Sequence, residues 1–319
     1  MRKNLNQVRI MGRIYGFGDA NGRQALELKV TGSNSKNPGT PFIGGIMQVA
    51  VDEAGLNVIP VHFTYVTETT STGKANNTFG VLKKILEDNK TWLKVGPENA
   101  TMVKIDASIG LNDFYNNEGK LVSSKLIEGS FVSTVNDLGP ENERNTFRVD
   151  MLITNATRKE ADPEANIDAD YVTVHGAVFN FRNAILPVDF VVRNEAGMNY
   201  FEDLGASSNE PVYTKVWGNI NCQTKVTEVK EESAFGDAAV RTYTRNIRDW
   251  VITGTATAPY EFGTEDTITA EELTKALQDR EVYVADVKKK ADDYRNGNKA
   301  SQSAKAETPK AASGVKFNF

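Results

Sequence analysis

The sequence has little of the chemistry that enzymes and metal sites need. Its 319 residues include one cysteine, Cys222, and two histidines, His62 and His175. One cysteine excludes a disulfide framework or a cysteine-cluster zinc site within a single chain. The two histidines show no shared ligand spacing and no partner for acid–base work. We therefore predict a protein that is not an enzyme and that uses no metal ion or cofactor.

Long hydrophobic runs are also missing. No segment approaches the roughly 18 apolar residues of a membrane-spanning helix, and the basic start of the chain is not followed by the apolar stretch of a signal peptide. The apolar content of 39% and the charged content of 25% are those of a globular protein. These features predict a cytoplasmic protein without membrane contact.

Positive charge is scarce overall but unevenly distributed. Lys and Arg number 37 against 42 Asp and Glu, which gives a formal net charge of −5. The net charge is +1 for residues 1–150, −5 for 151–260, −5 for 261–294 and +4 for 295–319. A binding site for a polyanion must therefore be local, and the first half of the chain is where we expect it.

Two segments share the pattern V-x-(I/V)-x-G-x-(I/V)-aromatic-x-Phe, namely 7–17 and 171–181. Alternating apolar residues indicate half-buried strands, and the central glycine indicates a bend or bulge. Two shorter matches follow in the same order, 104–105 with 215–216 and 150–154 with 249–253. We interpret these matches as a duplicated all-β unit.

The predicted elements of the first copy are three strands, a short amphipathic helix around Val81–Leu86 and two further strands. This is the order of the five-stranded Greek-key barrel known as the OB fold. An acidic, proline-containing stretch separates the copies. We predict a first OB-fold barrel at 1–158, an acidic linker at 159–170, a second OB-fold barrel at 171–260, a C-terminal helix at 261–294 and a disordered basic tail at 295–319.

These features resemble single-stranded DNA-binding proteins with tandem OB folds, in particular phage-encoded ones. The resemblance rests on the Val-x-Ile-x-Gly-x-Ile opening, the helix before the fourth strand and the long hairpin after it. It covers roughly residues 5–158 and 169–258. It implies binding and protection of single-stranded DNA during replication or recombination, in the host cytoplasm if the protein is phage-encoded.

Proteins of this kind stack aromatic rings on bases and line a groove with Lys and Arg for the phosphates. In the first strand, Arg9, Arg13, Tyr15 and Phe17 share the face opposite Ile10. We predict that these four residues form an outward-facing binding row. The alternative is that the two rings enter the core beyond the glycine bend.

The other candidate nucleic-acid-binding residues lie in the hairpin between strands four and five, in the second copy and at the matched lysines. They are Lys104, Phe114, Tyr115, Lys120, Lys125, Phe179, Phe181 and Lys215. A ring tucked inward and a lysine guarding a strand edge are the structural alternatives. The second copy has no counterpart of the two arginines, so we expect it to bind more weakly or to support dimer or interdomain contacts.

The C-terminal region begins with a capping box, Thr269 to Glu272, ahead of a helix that either packs on the second barrel or mediates association. The tail after it ends in Phe319. Bacterial single-stranded DNA-binding proteins recruit replication partners through a tail of this layout, but theirs is acidic and this one is basic. Replication or recombination proteins are the partners that the resemblance implies, and DNA contact or simple solubility are the alternatives for a basic tail.

A non-enzymatic structural or assembly protein, such as a phage particle component with barrels as rigid connectors, is the second hypothesis. Light scattering together with a DNA-binding assay separates the two, since a large defined oligomer indifferent to DNA favours assembly. Homo-oligomerisation is compatible with both hypotheses.

Overall fold

The computed structural model describes residues 4–19, 21–162, 167, 169–230, 240–262, 264 and 267–306. Strands dominate these residues. In chain order the elements are β1 (Asn6–Phe17), β2 (Glu27–Val30), β3 (Pro41–Ala50), β4 (Val58–Thr67), α1 (Asn77–Asp88), α2 (Trp92–Val95), β5 (Met102–Tyr115), β6 (Leu121–Thr134), β7 (Asn145–Lys159), β8 (Tyr171–Phe179), β9 (Ile185–Val192), α3 (Glu195–Asp203), β10 (Val212–Lys230), β11 (Val240–Thr255) and α4 (Ala270–Ala306).

The first barrel is formed by β1, β3, β4, β5 and β6. Strand β1 pairs antiparallel with β3 and β5, and the pairs β3–β4 and β5–β6 are also antiparallel. Strand β4 closes the barrel by parallel pairing with β6, at Val61 and Ile127. With α1 between β4 and β5, this is the topology of an OB fold.

Helix α1 forms where the sequence predicts it. The side chain of Asn76 caps its N-terminus by accepting a hydrogen bond from the backbone N–H of Thr78. Leu82 and Ile85 are buried on one face of the helix and join the hydrophobic core. The helical spacing of these apolar residues therefore reports the packing of α1 against the barrel.

The second barrel repeats this topology with β7, β8, β9, β10 and β11. Strand β7 pairs antiparallel with β8 and β10, and the pairs β8–β9 and β10–β11 are antiparallel. Strand β9 pairs in parallel with β11 at Val191 and Val251. Helix α3 lies between the third and fourth strands, as α1 does in the first barrel. The prediction of an all-β protein with two OB folds is confirmed.

The boundary between the barrels differs from the sequence prediction. Strand β7 lies within the predicted first domain, 1–158, but it pairs with β8 and β10 and is the first strand of the second barrel. The strands of the first barrel therefore end at Thr134 and those of the second begin at Asn145. The acidic segment 159–170 connects the first two strands of the second barrel and is not a linker between domains.

The glycines of the two matched segments, Gly12 on β1 and Gly176 on β8, explain why the predicted domain boundary was wrong. A Cβ atom on Gly12 would lie 2.2 Å from the carbonyl oxygen of Ala50 on β3, and one on Gly176 would lie 2.1 Å from that of Leu152 on β7. Both glycines permit close approach of the first and second strands of a barrel. The first strand carries the glycine in one barrel and the second strand carries it in the other, so the matched segments share an environment and not a position in the fold.

The two barrels form one continuous sheet, because β1 also pairs antiparallel with β7, from Asn6 opposite Val149 to Ile10 opposite Asn145. The Asn6 side chain donates to the carbonyl oxygens of Ile109 and Phe179, at 3.0 and 3.2 Å. A single hydrophobic core runs through both barrels. The barrels are thus joined by backbone, side-chain and apolar contacts.

Helix α4 packs on the second barrel, where Ala276 joins a small apolar cluster that includes Phe179 and Tyr213. The predicted capping box is present: the backbone N–H of Glu272 donates to Thr269 Oγ1 at 3.1 Å, and the N–H of Thr269 donates to Glu272 Oε2 at 3.0 Å. The helix continues to Ala306, twelve residues beyond the predicted boundary. The rest of the predicted basic tail, 307–319, lies outside the described residues. None of the described helices is both long and apolar enough to cross a membrane.

Candidate nucleic-acid interface

The predicted alternation of faces along β1 is confirmed. Ile10 and Ile14 are buried in the core, whereas Arg9, Arg13 and Tyr15 lie on the outer face of the strand. The buried set includes both glycines of the strand. The sequence therefore identifies correctly that Arg9, Arg13 and Tyr15 leave the core.

Three of the four residues in this predicted row contact other side chains of the protein. Arg13 forms an ion pair with Glu53, at 2.8 Å from Nη1 to Oε2, and the Tyr15 ring lies 6.0 Å from the ring of Trp92 on α2. Phe17 is partly buried and packs against the core. An open stacking platform at Tyr15 and Phe17 is thus not present, and Arg9 is the most accessible member of the row.

Glu53 lies between two arginines. It accepts a hydrogen bond at 2.7 Å from Arg144, a buried side chain that also donates to the carbonyl oxygens of Gly139 and Val51. The hydrogen bond from Arg144, followed by the charge of Arg13, holds the pKa of Glu53 below its ordinary value despite partial desolvation. Arg13 therefore contributes to a structural charge cluster, which reduces its availability to a phosphate.

The hairpin of β5 and β6 contains five predicted site residues, and the structure contradicts the prediction most clearly at Lys125. Its ammonium group donates to the backbone oxygen of Asp189 on β9 and lies 5.6 and 5.4 Å from the rings of Phe190 and Trp250. Burial lowers its pKa from 10.5 to about 8, against the attraction of nearby Asp189 and Asp249. Lys125 therefore joins the hairpin to the second barrel and does not face a phosphate.

The other hairpin residues lie close to α4. Phe114 is exposed and Tyr115 is half-buried, while Lys120 lies at the exposed turn, 3.5 Å from Glu118. Next to Phe114, the carboxylate of Asp113 accepts hydrogen bonds from Arg280 of α4 at 2.6 and 2.7 Å. Although burial alone would raise the pKa of Asp113, these bonds keep it below its ordinary value. One side of the hairpin is thus covered by a helix of the same chain.

In the second barrel, Phe179 was predicted to stack on a base, and this is wrong. Its side chain is fully buried and meets the Tyr213 ring edge-on at 6.3 Å. Phe181 is 85% exposed, because β8 ends at Phe179 and the chain turns. The Arg182 guanidinium lies 5.1 Å from its ring centre. The two phenylalanines therefore have opposite environments, and only Phe181 is accessible.

A different surface brings cations and exposed rings together where the barrels meet. Residues directly opposite one another on neighbouring strands share a face. Phe131 is opposite Asp106, which is opposite Arg9, and on the next strands Arg148 is opposite Trp217. We call this surface the junction face; its members are Gln7, Arg9, Lys104, Asp106, Phe131, Thr146, Arg148, Lys215 and Trp217.

The junction face contains a cleft. Its volume is about 430 Å³, and Phe131, Arg9 and Arg148 are among its lining residues. The residues Val8 and Phe147, from the two paired first strands, also line it. Because β1 and β7 run side by side here, the cleft is a direct product of the pairing between the barrels.

Both ends of the junction face carry exposed aromatic rings. Phe131 is 69% exposed and Trp217 is 37% exposed. The Trp217 indole rests on the backbone of Gly254, where an added Cβ would lie only 2.5 Å from Nε1. Gly254 therefore supports one side of the ring while the remaining surface stays accessible to a base.

The charge of the junction face is positive. Arg9 is paired with Asp106 at 3.3 Å, and both side chains are about half exposed. Among the described residues, no carboxylate forms an ion pair with Lys104, Arg148 or Lys215. Both predicted lysines thus lie on this face, and Lys215 lies directly opposite Asp150 of β7.

Sequence reasoning missed Phe131, Arg148 and Trp217. Phe131 alternates with Val132, and this pattern could have identified it as an outward ring. Nothing in the sequence places Trp217 on a glycine of the neighbouring strand, Gly254. Arg148 could be assigned to this surface only once β7 was known to pair with β1.

The described residues contain no group of three or more His, Cys, Asp and Glu side chains placed to hold a metal ion. His175 Nδ1 lies 2.9 Å from Asp189 Oδ1 on the outside of the second barrel. Burial raises the pKa of the Cys222 thiol to about 11, which makes it a poor nucleophile at neutral pH.

Two solved structures align with this chain at low sequence identity and low TM-score. A deletion mutant of the single-stranded DNA binding protein from Thermus aquaticus aligns with a TM-score of 0.46 and 13% identity, over 83% of this chain and 100% of that one. A replication protein A heterotrimer bound to single-stranded DNA aligns with a TM-score of 0.21 and 9% identity, over 81% and 67% of the two chains. No curated protein sequence matches.

The family model named YorF matches residues 21–290. This match extends from the segment before β2 to within α4 and includes the whole second barrel. The chain therefore belongs to the YorF family.

Proposed function

We propose that the protein binds single-stranded DNA across the junction of its two barrels and protects it during replication or recombination, without catalysing a reaction. The observation that carries the proposal is the junction face, with Phe131 at one end, Trp217 at the other and the guanidinium groups of Arg9 and Arg148 between them. Rings that stack on bases and cations that follow the backbone are the two components of such sites.

The dimensions of the junction face suit a short extended strand. Phe131 on β6 and Trp217 on β10 are separated by four strand-to-strand steps, through β5, β1 and β7. At about 4.8 Å for each step, this is roughly 19 Å along the sheet. A strand that stacks one base on each ring would pass its intervening phosphates over Arg9 and Arg148.

The arrangement favours single strands over duplexes. Stacking on Phe131 and Trp217 needs unpaired bases, and it contributes about 1 to 3 kcal/mol for each base. A duplex keeps its bases stacked internally and would use only the cations, whose contribution falls steeply with salt. We expect little sequence preference, because every base has a face that can stack.

Fluorescence anisotropy with labelled oligonucleotides over a salt series tests the function. We expect binding to single strands that weakens with salt. Absence of binding at micromolar protein and low salt, or binding without salt dependence, would contradict it. A large defined oligomer indifferent to DNA would instead favour the assembly hypothesis.

Single variants test the location of the site. Phe131→Ala and Trp217→Ala should each weaken binding by about 1 to 3 kcal/mol. Phe181→Ala removes a more exposed ring outside the junction face and should leave binding unchanged. If Phe181→Ala weakens binding and the other two variants do not, DNA binds the protein but not at this surface.

A further inference from the structure

Strand β2 has an open edge. Among the strands that the structure describes, β2 alone pairs on one side only, with β3, and it forms the end of the sheet. The side chains of Leu28 and Val30 are 52% and 64% exposed. A strand edge of this kind can accept a further strand through its free backbone groups.

The hydrogen bonds of β2 show which of its groups are free. Just beyond the strand, the backbone N–H of Thr31 donates to the carbonyl oxygen of Thr40, at 3.0 Å. In an antiparallel pair, residues alternate between bonding to the partner and pointing away from it. The backbone N–H and C=O groups of Leu28 and Val30 therefore point to the open edge.

The sequence of the edge is complementary to itself. If two copies of β2 pair antiparallel about a twofold axis at Leu28, the two Leu28 residues lie opposite each other, and Glu27 of each copy lies opposite Lys29 of the other. Within one chain, Lys29 Nζ already lies 3.5 Å from Glu27 Oε1 on one face of the strand. The four charges would alternate in sign around the axis, which is favourable for cross-strand neighbours.

Other arrangements lack this match. Shifting the twofold axis by one residue, to Lys29, places two lysines opposite each other, and a parallel in-register pairing aligns each charge with its own kind. Like charges directly opposite on neighbouring strands are destabilising. The charge pattern therefore selects both the antiparallel direction and the register.

We propose that the open edge of β2 is a self-association surface and that its occupant is β2 of a second copy of this chain. The contact is isologous, since the same residues serve both copies. It involves only four residues from each copy, so the dimer is weak and depends on protein concentration. This inference does not rest on the proposed DNA-binding function.

Charge reversal tests the proposal by sedimentation velocity over a concentration series, with protein freed of nucleic acid. The wild type should form a reversible dimer. Glu27→Lys and Lys29→Glu should each weaken it about tenfold, because each puts like charges opposite one another twice. The double variant Glu27→Lys with Lys29→Glu restores opposite charges and should dimerise like the wild type.

Leu28→Pro is the backbone control, because it removes an N–H group that points to the open edge while leaving the ladder with β3 intact. It should be monomeric with a circular dichroism spectrum like that of the wild type. A monomeric wild type at several hundred micromolar, or a double variant as weak as the single ones, would overturn the proposal. Failure of DNA binding would leave all of these results unaffected.

Discussion

At the scale of single residues, whether a cationic side chain can contact a phosphate depends on its partner in the folded protein and on its exposure. Arg9 and Arg13 lie four residues apart on one face of β1, yet Arg13 is held beside Glu53 and Arg144 while Arg9 reaches the cleft. Lys125 is a cation in an acidic and aromatic environment of the second barrel. Residue type alone therefore does not predict a phosphate contact in this protein.

Lys125 makes the stability of the protein depend on pH in a defined direction. Its pKa is about 8 in the folded state against 10.5 as the ordinary value. The unfolded state thus binds more protons between these two values, and the free energy of unfolding should rise as the pH increases from about 8 to about 10.5. Below pH 8 both states are protonated and Lys125 gives no slope.

Denaturant titrations at several pH values can detect this effect. Lys125→Met keeps the length of the side chain and removes the titrating group, so the variant should lack the rise and the difference between wild type and variant should contain it. The difference also removes the opposing contribution of Cys222, whose pKa is raised to about 11. Parallel profiles for the two proteins would mean that Lys125 is not desolvated.

At the scale of strands and helices, local patterns were predicted well and their partners were not. The faces of β1, helix α1 and the capping box of α4 depend on neighbouring residues, and the sequence shows them. The assignment of β7 to the second barrel depends on pairing with distant strands, which no local pattern records. The assignment of 159–170 as a linker and the prediction that Phe179 stacks on a base were both wrong, because each depends on contacts with distant strands.

Glycines at strand crossings provide a test at this scale. Gly12→Ala would place a Cβ 2.2 Å from the Ala50 carbonyl oxygen, and since both atoms belong to paired strands, the barrel must deform. We expect a loss of about 2 to 4 kcal/mol in the free energy of unfolding.

Gly80→Ala is the matched control, since a Cβ on Gly80 in α1 meets nothing within 4 Å. It should stabilise the protein by about 0.5 to 1 kcal/mol through helix propensity. Thermal and urea unfolding of both variants measure the two effects. An unchanged stability for Gly12→Ala would contradict the close approach of β1 and β3.

At the scale of the whole molecule, the pairing of β1 with β7 joins the two barrels and forms the cleft between them. It merges two OB folds into one sheet with one core, and it creates the cleft between them. The sequence predicted two OB folds and a positive surface near β1. It did not predict that the surface lies on the junction, because half of that surface is provided by β7 and β10.

The shared core predicts that the barrels unfold together. Phe147 of β7 is 1% exposed and lies 4.9 Å from the ring of Phe190. Phe147→Ala should cost about 3 to 5 kcal/mol. Native-state hydrogen exchange should show protection falling equally in β4 of the first barrel and β9 of the second. A loss confined to β9 would show that the barrels are independent units.

The central claim is that single-stranded DNA crosses the junction of the two barrels. Photo-crosslinking of an oligonucleotide that carries iodouracil at successive positions, followed by mass spectrometry of the peptides, tests it most directly. We expect crosslinks to Phe131 and Trp217, at positions a few nucleotides apart in the same oligonucleotide. Crosslinks confined to a ring outside the junction face, such as Phe181, would contradict it.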